Sequence, residues 1–362
     1  MVYKVIGVMS GSSLDGLDLA YAAIQDKAGT WSYDFLETTC YPYTREWKEK
    51  LRQSRTLGAG EYLCLDTAFG RHIGERICQF MAGHGLEYQV NFIACHGHTS
   101  FHLPDRHTTA QLGDGATIAA VTGLPVICGL RAMDLALGGQ GAPIVPAGEK
   151  HLFGEYALLL NLGGIANISY KDQGQYRAFD ICPANRVLDA LAALEGQDYD
   201  DNGRMAASGQ LNLALRDSLN AQPYYRLPFP KSLPNEFGTE TIYPLILSLE
   251  GKARNSLRTY CEHIAMQVDA ALAMFPLGGR QKMLVTGGGA FNGFLLSRLK
   301  AALDQRGVEL VIPDAQLVRF KEALIMAFLG VLRWREMDTV LSSVTGASRD
   351  SSGGAIWLGR GD

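Results

Sequence analysis

The sequence predicts an α/β protein of two domains, and three observations carry that expectation. At 362 residues the chain exceeds what one hydrophobic core usually spans, so two domains of ordinary size are expected, with their cleft as the default place for a site. Extended, β-rich segments alternate with segments of helical periodicity along most of the chain. Two hairpins also echo each other, GVMSGSSLDGLDLAY near the start and YALLLNLGGIANISY near the middle. Each turns at polar residues and glycine, and the echo suggests duplicated domains gripping a nucleotide phosphate chain.

Composition narrows the class. Hydrophobic residues make up 47% of the chain and charged residues 19%, with a formal net charge of -4, which gives no reason to expect nucleic acid or an anionic membrane as partner. Seven cysteines without a C-x-x-C pair argue against a disulfide framework and a thiolate metal site, and fit a reducing cytoplasm. No apolar stretch approaches a membrane span and no signal-cleavage pattern opens the chain. The 41 glycines gather in short motifs, where they mean tight turns and backbone close to ligands.

The first elements read as strands: VYKVIGVMS, LDLAYAAIQ and WSYDFLETTCY. The loop joining the first two, Gly11 to Gly16, is a plain hairpin turn on one reading. On another, Ser10, Ser12 and Ser13 add hydroxyls to backbone N–H groups that wrap phosphate oxygens, while Asp15 and Asp18 face a magnesium ion. TREWKEKLRQS and GEYLCLDTAFGRHIGERICQFMAGHG follow as helices, the second with a stripe of Leu63, Phe69, Ile73, Ile77 and Phe80. NFIACHGHTSFHLP carries a strand into His96, His98 and His102, whose spacing matches no strong zinc signature, so hydrogen bonding to a polar ligand is the functional reading and ordinary loop histidines the plain one.

QLGDGATIAAVTG reads as turn and helix, and LPVICGLR as a strand ending at Arg131. From Gly138 to Pro146 glycine and proline break periodic structure, the usual mark of a functional or interdomain stretch. Arg131 and Asp134, just before it, can hold a ligand carboxylate and hydroxyl, or pair with each other. YRAFDI then reads as a strand, and PANRVLDALAALEG as a helix with Pro183 in its first turn. Ligands gather at such strand–helix junctions, and a helix start favours an ionised carboxylate, so Asp180 is the candidate catalytic base; the alternative is a helix cap. KARNSLRTYCEHIAMQVDAALAMF is a core helix. KMLVTGGGAFNGFLLSRLKAAL is the most nucleotide-like unit, a strand, three glycines (Gly287, Gly288, Gly289) and a helix begun near Asn292. VELVIP is a strand, Glu322 stands polar on a closing helix, and Ile356, Trp357 and Leu358 in the tail predict that it docks.

The motifs GVMSGSSLDGLD, CHGHTSFHLP, QLGDGATIAAVTG, GGQGAPIVP, LLNLGGIANIS, TGGGAFNGFLL and SSVTGA, in this order, resemble the anhydro-N-acetylmuramic acid kinases over nearly the whole chain. That resemblance implies the two-domain sugar kinase/Hsp70/actin-like (ribonuclease H-like) fold, a mixed central sheet in each domain and ATP in the interdomain cleft. With the boundary placed at the Gly/Pro stretch, the domains expected are 1–140, completed by 340–362, and 141–339. The resemblance further implies an ATP- and Mg2+-dependent enzyme that opens the 1,6-anhydro ring of its amino sugar with water and phosphorylates O6, in cell-wall recycling. A kinase for another sugar on this fold, or a non-catalytic nucleotide or sugar sensor, are the alternatives.

By the resemblance Asp180 is the base. Gly11, Ser12, Ser13, Leu14, Asp15, Gly16, Leu17 and Asp18 hold ATP phosphates with Gly163 and Gly164, Asp15 faces the metal, and Gly287, Gly288, Gly289 and Asn292 meet adenosine. His96, His98, Arg131, Asp134, Gln140, Asn185 and Glu322 are the sugar-binding candidates. The partners implied are the sugar and ATP, with no nucleic acid or membrane, and a homodimer is left open. The chain departs from the family pattern in reading Asp180-Ile181-Cys182-Pro183-Ala184-Asn185 for D-x-G-P-G-N, and in carrying Asn235 where the family has Arg.

Overall fold

β1 (Val2–Ser10) and β2 (Gly16–Lys27) form an antiparallel pair with Val8 opposite Leu19, and β3 (Thr30–Pro42) extends it. β1 and β2 are buried on both faces over long stretches, which is why these two segments read as nearly continuous apolar strands, whereas in β3 only Trp31 is buried. The computed structural model describes every residue except 12, 173, 174, 230, 235 and 360–362; the side chains at 172 and 175 are set aside with them. Ser12 and Asn235 therefore lie outside the described residues. The chain divides into two units, Met1–Gly154 with Phe320–Asp362, and Glu155–Arg319.

In the first unit α1 (Arg45–Gln53) is capped by Thr44, whose side chain accepts from Trp47 N–H. α2 (Ala59–His84) buries Leu65, Phe69, Ile73, Ile77 and Phe80. Leu63, expected in that stripe, is 64% exposed; the apolar row runs at four-residue intervals from Leu65, and Leu63 falls half a turn away from it. β4 (Phe92–Leu103) runs parallel to β1, and β5 (Thr108–Leu112) pairs antiparallel to β4. α3 (Gly115–Thr122), capped by Asp114, leads to β6 (Val126–Cys128). The expected strand to Arg131 stops at Cys128, because Gly129 takes a φ of +67° and turns the chain into α4 (Ala132–Ala136). The Gly/Pro stretch is likewise shorter than its composition suggests, since Pro146 sits at the start of α5 (Val145–Leu152).

The second unit opens with the hairpin β7 (Leu158–Leu162) and β8 (Ile165–Asp172), to which β9 (Gln175–Pro183) adds antiparallel. α6 (Asn185–Ala192), α7 (Arg204–Ser208) and α8 (Leu213–Asn220) pack against α10 (Ala253–Leu272), which buries twelve of its side chains, and α9 (Tyr243–Leu249) lies against α6 and α8. A π-helical turn, Phe237–Ile242, leads directly into α9. β10 (Gln281–Thr286), α11 (Gly293–Leu303) and β11 (Val308–Val311) complete a sheet in the order β11-β10-β7-β8-β9 among the described residues.

α12 (Ala315–Trp334) carries the chain back into the first unit, where α13 (Ser342–Thr345) and β12 (Ala355–Trp357) follow. β12 pairs antiparallel with β6, so the tail docks as expected through Ile356, whereas Trp357 and Leu358 are 44% and 67% exposed, and the described sheet runs β12-β6-β4-β1-β2-β3 with β5 beside β4. Gly7 lets α12 lie directly on β1, since a Cβ there would fall 1.9 Å from Ala323 O. The expected boundary near residue 140 falls inside this unit, because α5 packs with Gly148 against Ile325 and Glu149 against Lys321. No described helix is long and apolar enough to cross a membrane.

Candidate functional site

In the first unit the polar residues gather at the ends of β1 and β4. The parallel register shifts between Val8↔Cys95 and Ser10↔His98, so β4 holds one residue more than β1 over this interval. Gly97 absorbs the irregularity at a φ of +73°. His96 is buried with both ring nitrogens engaged: Nδ1 lies 2.9 Å from Gly97 O, and Nε2 accepts from Arg131 Nε at 2.9 Å. Burial first, and the Arg131 charge second, push its pKa down to about 3, so the ring is neutral and orients the guanidinium. Arg131 also donates to Gly141 O at 2.7 Å.

Asp134 does not pair with Arg131. Its carboxylate is 1% exposed and accepts from Gly141 N–H and from the Thr345 hydroxyl, each at 2.7 Å. Gln140 is exposed, and its N–H donates to Thr345 O. Arg131 and Asp134 thus both hold the backbone of Gly141, Arg131 by donating to its carbonyl and Asp134 by accepting from its N–H. Thr345 was part of a recognised motif, but nothing in its spacing tied it to a residue 211 positions earlier.

Of the turn residues, Gly11 is open, Ser13 and Asp15 are exposed, and Leu14 and Leu17 point into the core of the unit at 6% and 0% exposure. For Leu14 only backbone remains to meet a ligand, and Leu17 has its backbone in the β1–β2–β3 ladder as well. Gly16 is required by close pairing, a Cβ there meeting Tyr41 O at 2.5 Å. The Asp18 pKa is pushed up to about 6, chiefly by burial, with the Cys40 thiol holding it down and the charges of Glu322 and Asp15 adding to the rise. Negative charge confined in this way suits a cation. No group of three or more His, Cys, Asp or Glu placed to hold a metal ion occurs among the described residues, so Asp15 and Asp18 fit the magnesium mode in which phosphate oxygens and waters fill most of the shell.

In the second unit three sequence motifs converge on the start of α6. Asn185 N–H donates to Gly163 O at 3.0 Å, its Nδ2 donates to Leu162 O at 2.8 Å, and Ala184 N–H reaches Gly164 O at 2.8 Å. The glycine turn after β10 lies against the same residues: Cβ atoms on Gly288 and Gly289 would stand 3.2 and 3.0 Å from the Asn185 side chain, and one on Gly287 would stand 2.6 Å from Asn161 Oδ1. Asn292 caps α11 by accepting from Leu295 N–H at 2.9 Å, so its oxygen is used within the protein.

Asp180 is not a helix cap. It lies on β9, five residues before Asn185, and the β8–β9 register shifts so that Asn167 faces Asp180 while Ala166 faces Cys182; Ile181 is the extra residue, and the irregularity re-aims the carboxylate. Pro183 closes the strand instead of opening the helix, held by Tyr260 OH donating to its carbonyl at 2.8 Å. Leu233 N–H donates to Asp180 Oδ2 at 2.9 Å and Tyr224 OH to Asp180 O at 2.6 Å. A helix start would have lowered the Asp180 pKa, yet burial raises it to about 6, with the Leu233 hydrogen bond only partly opposing.

A family model for anhydro-N-acetylmuramic acid kinase matches residues 3–359. The chain belongs to the anhydro-N-acetylmuramic acid kinase family. A relative of that name from Vibrio cholerae is 34% identical over 370 residues, covering 97% of each chain, and one from Hydrogenovibrio crunogenus is 32% identical over 370 residues with the same coverage. Among solved structures, the activator of the 2-hydroxyisocaproyl-CoA dehydratase from Clostridium difficile covers 90% of this chain and 92% of its own at 14% identity and a TM-score of 0.46, a likeness too distant to argue from. Membership in the kinase family rests on the full-length sequence matches.

Proposed function

We infer that this protein is an ATP-dependent anhydro-N-acetylmuramic acid kinase that opens the 1,6-anhydro ring with water and places the γ-phosphoryl group on O6, giving N-acetylmuramic acid 6-phosphate. The observation that carries the mechanism is Asp180, a partly buried carboxylate on an irregular strand, held at a pKa of about 6. Water attacks C1 as its proton passes to Asp180, the C1–O6 bond breaks, and the departing O6 forms its bond to the γ-phosphorus as ADP leaves. An alkoxide is a poor leaving group, and capture by phosphorus removes it as it forms.

Within this reading the turn residues Gly11, Ser13, Leu14 and Asp15 and the Gly163-Gly164 turn offer backbone N–H groups to phosphate, and the Gly287–Gly289 turn leaves flat backbone for adenosine. Asp15 and Asp18 would hold magnesium, which supplies charge neutralisation on the phosphates. Arg131, oriented by His96, is the cation for an anionic sugar group. The test is mass spectrometry of the product from anhydro-N-acetylmuramic acid and ATP. We expect a product heavier than the sugar by one water and one phosphoryl group. A phosphorylated product without added water, or no turnover on this sugar alongside turnover on N-acetylmuramic acid, would overturn the reading.

A further inference from the structure

We infer that Ser10 and Tyr43 are positioning residues whose two hydroxyls hold His98 in its Nε2–H form, so that this ring offers one fixed hydrogen-bond donor to an oxygen of the bound ligand. The inference deepens the reading above, since it assigns the direction in which one residue of that site can bond. Its geometry is independent of which sugar is the substrate.

Three buried side chains form a line: Tyr43 OH donates to Ser10 Oγ at 2.8 Å, and Ser10 Oγ lies 3.1 Å from His98 Nδ1. They are 5%, 3% and 7% exposed, so water does not compete freely for these bonds. A hydroxyl has one hydrogen. With Tyr43 donating to it, Ser10 keeps its own hydrogen for Nδ1, and Nδ1 must then be the bare nitrogen. A proton on Nδ1 would give Ser10 Oγ two donors and leave its own hydrogen without an acceptor in a buried place, which costs more than the bond is worth.

The direction of donation is stable. Burial pushes the Tyr43 phenol upward, so it stays a donor, and burial pushes His98 down to about 4, with a hydrogen bond to the Ser10 backbone only partly opposing, so the ring is neutral. The proton therefore resides on Nε2, for which the described side chains offer no hydrogen-bond acceptor. His96 makes the contrast, because both of its nitrogens are consumed by Gly97 O and Arg131 Nε. The two histidines hold different roles. The irregularity at Gly97 produces this: without the extra residue in β4, Ser10 would stand opposite Gly97 instead of His98. Tyr43 is fixed in turn by Phe69 and His72 at ring separations of 6.1 and 6.3 Å, and Phe69 meets His98 edge-on at 6.5 Å.

The acceptor is an oxygen with lone pairs to offer, on a phosphoryl group or on the sugar. Nitrogen NMR of the full chain labelled with 15N-histidine tests the tautomer, with His98→Gln identifying the signals. We expect a protonated Nε2 and a bare Nδ1 at pH 7 in the wild type, a detectable Nδ1–H population in Ser10→Ala, and the wild-type pattern in Ser10→Thr, which keeps the hydroxyl. A wild-type ring protonated on Nδ1 or on both nitrogens overturns the inference, and so does a Ser10→Ala or Tyr43→Phe protein with an unchanged pattern in the absence and presence of ligand.

Calorimetry with Ser10→Ala then separates the ligands. A loss of ~3- to 10-fold in affinity, the scale of one neutral hydrogen bond, for a non-hydrolysable ATP analogue places the acceptor on phosphate, and the same loss for the anhydro sugar places it on the sugar. No loss for either overturns the ligand-facing role. Absence of turnover on anhydro-N-acetylmuramic acid would sink the proposed substrate and leave the NMR result standing, so the two failures are distinguishable.

Discussion

A base that takes a proton from water during attack works best with a proton affinity near that of its surroundings, and burial brings Asp180 toward that range. Because Asp180 acts only when ionised, turnover should fall as pH drops through about 6 and level off above it. A pH profile of kcat with an acid limb well below pH 5 would show that another group limits the rate. Asp180→Asn keeps the shape and the contact with Leu233 N–H but cannot accept the proton, so we expect kcat to fall ~10²–10⁴-fold with ATP affinity nearly unchanged. Near wild-type turnover at saturating substrates would remove Asp180 from the chemistry. Asp18 illustrates the cost of holding such groups. Its pKa is raised in the folded protein from 3.8 to about 6, so its contribution to stability is complete below pH 4 and is lost as pH rises through 6. Asp18→Asn should therefore stabilise the ligand-free protein at pH 8 by on the order of 1–2 kcal/mol and change little at pH 4. Thermal melts at the two pH values decide this, and an equal effect at both would mean that charge burial is not the cause.

At the level of elements, the glycine turn after β10 separates folding from binding. Gly287 has a φ of +82°, and a Cβ there would strike Asn161 Oδ1 and the Leu162 backbone, whereas Gly288 is exposed and its Cβ would meet only Asn185 Nδ2 at 3.2 Å. Gly287→Ala should cost more than about 1 kcal/mol of stability. Gly288→Ala should melt near the wild-type temperature while weakening nucleotide binding, and unchanged nucleotide affinity in that variant would take this turn out of the site. This turn was legible in the sequence because strand, three glycines and helix follow one another without interruption. The hairpin β1–β2 was legible for the same reason, its apolar strands flanking a polar turn. What stayed hidden depends on contacts between distant positions. Tyr43 carried no motif, and it acquires a role only because the end of β3 brings it to Ser10 and the irregular register brings His98 to the same place. The position of Asp180 on a strand was readable, but its raised pKa was not: local sequence shows a helix start ahead, while the burial that overrides it comes from the segment around Lys231 and Leu233, fifty residues on. Cys182 and Ala184, where the family pattern has glycine, are fully buried with negative φ, −128° at Ala184, so the turn does not demand glycine for handedness.

The chain as a whole is organised by an interruption. Residues 155–319 form a unit from one continuous stretch, with the five strands of its described sheet and its entire core cluster inside those limits. The other unit is built from both ends of the chain, and its first 154 residues lack three things that the return through α12 supplies. One is cover for a sheet face, where Trp31 packs on Phe328 at 5.1 Å, Phe92 stacks on Trp334 at 5.0 Å and Gly7 lies under Ala323. Another is charge compensation, since Glu149 is 2% exposed and its partner is the equally buried Lys321 at 2.7 Å; an orphaned buried carboxylate costs ~3–5 kcal/mol. The last is the neighbour of the edge strand β6, which is β12. We therefore expect a protein of residues 155–319 alone to unfold in one cooperative thermal transition by circular dichroism. Residues 1–154 alone should give a broad, non-cooperative melt with dye-binding apolar surface, and a chain joining 154 to 320 through a short Gly/Ser linker should regain cooperativity. In that joined chain Lys321→Met should undo the gain, and pairing it with Glu149→Leu should restore much of it, because removing both charges leaves none buried alone. A cooperative melt for residues 1–154 by themselves would show that the first strands and α2 suffice as a folding unit, and that the returning helix adds stability without deciding whether the unit folds.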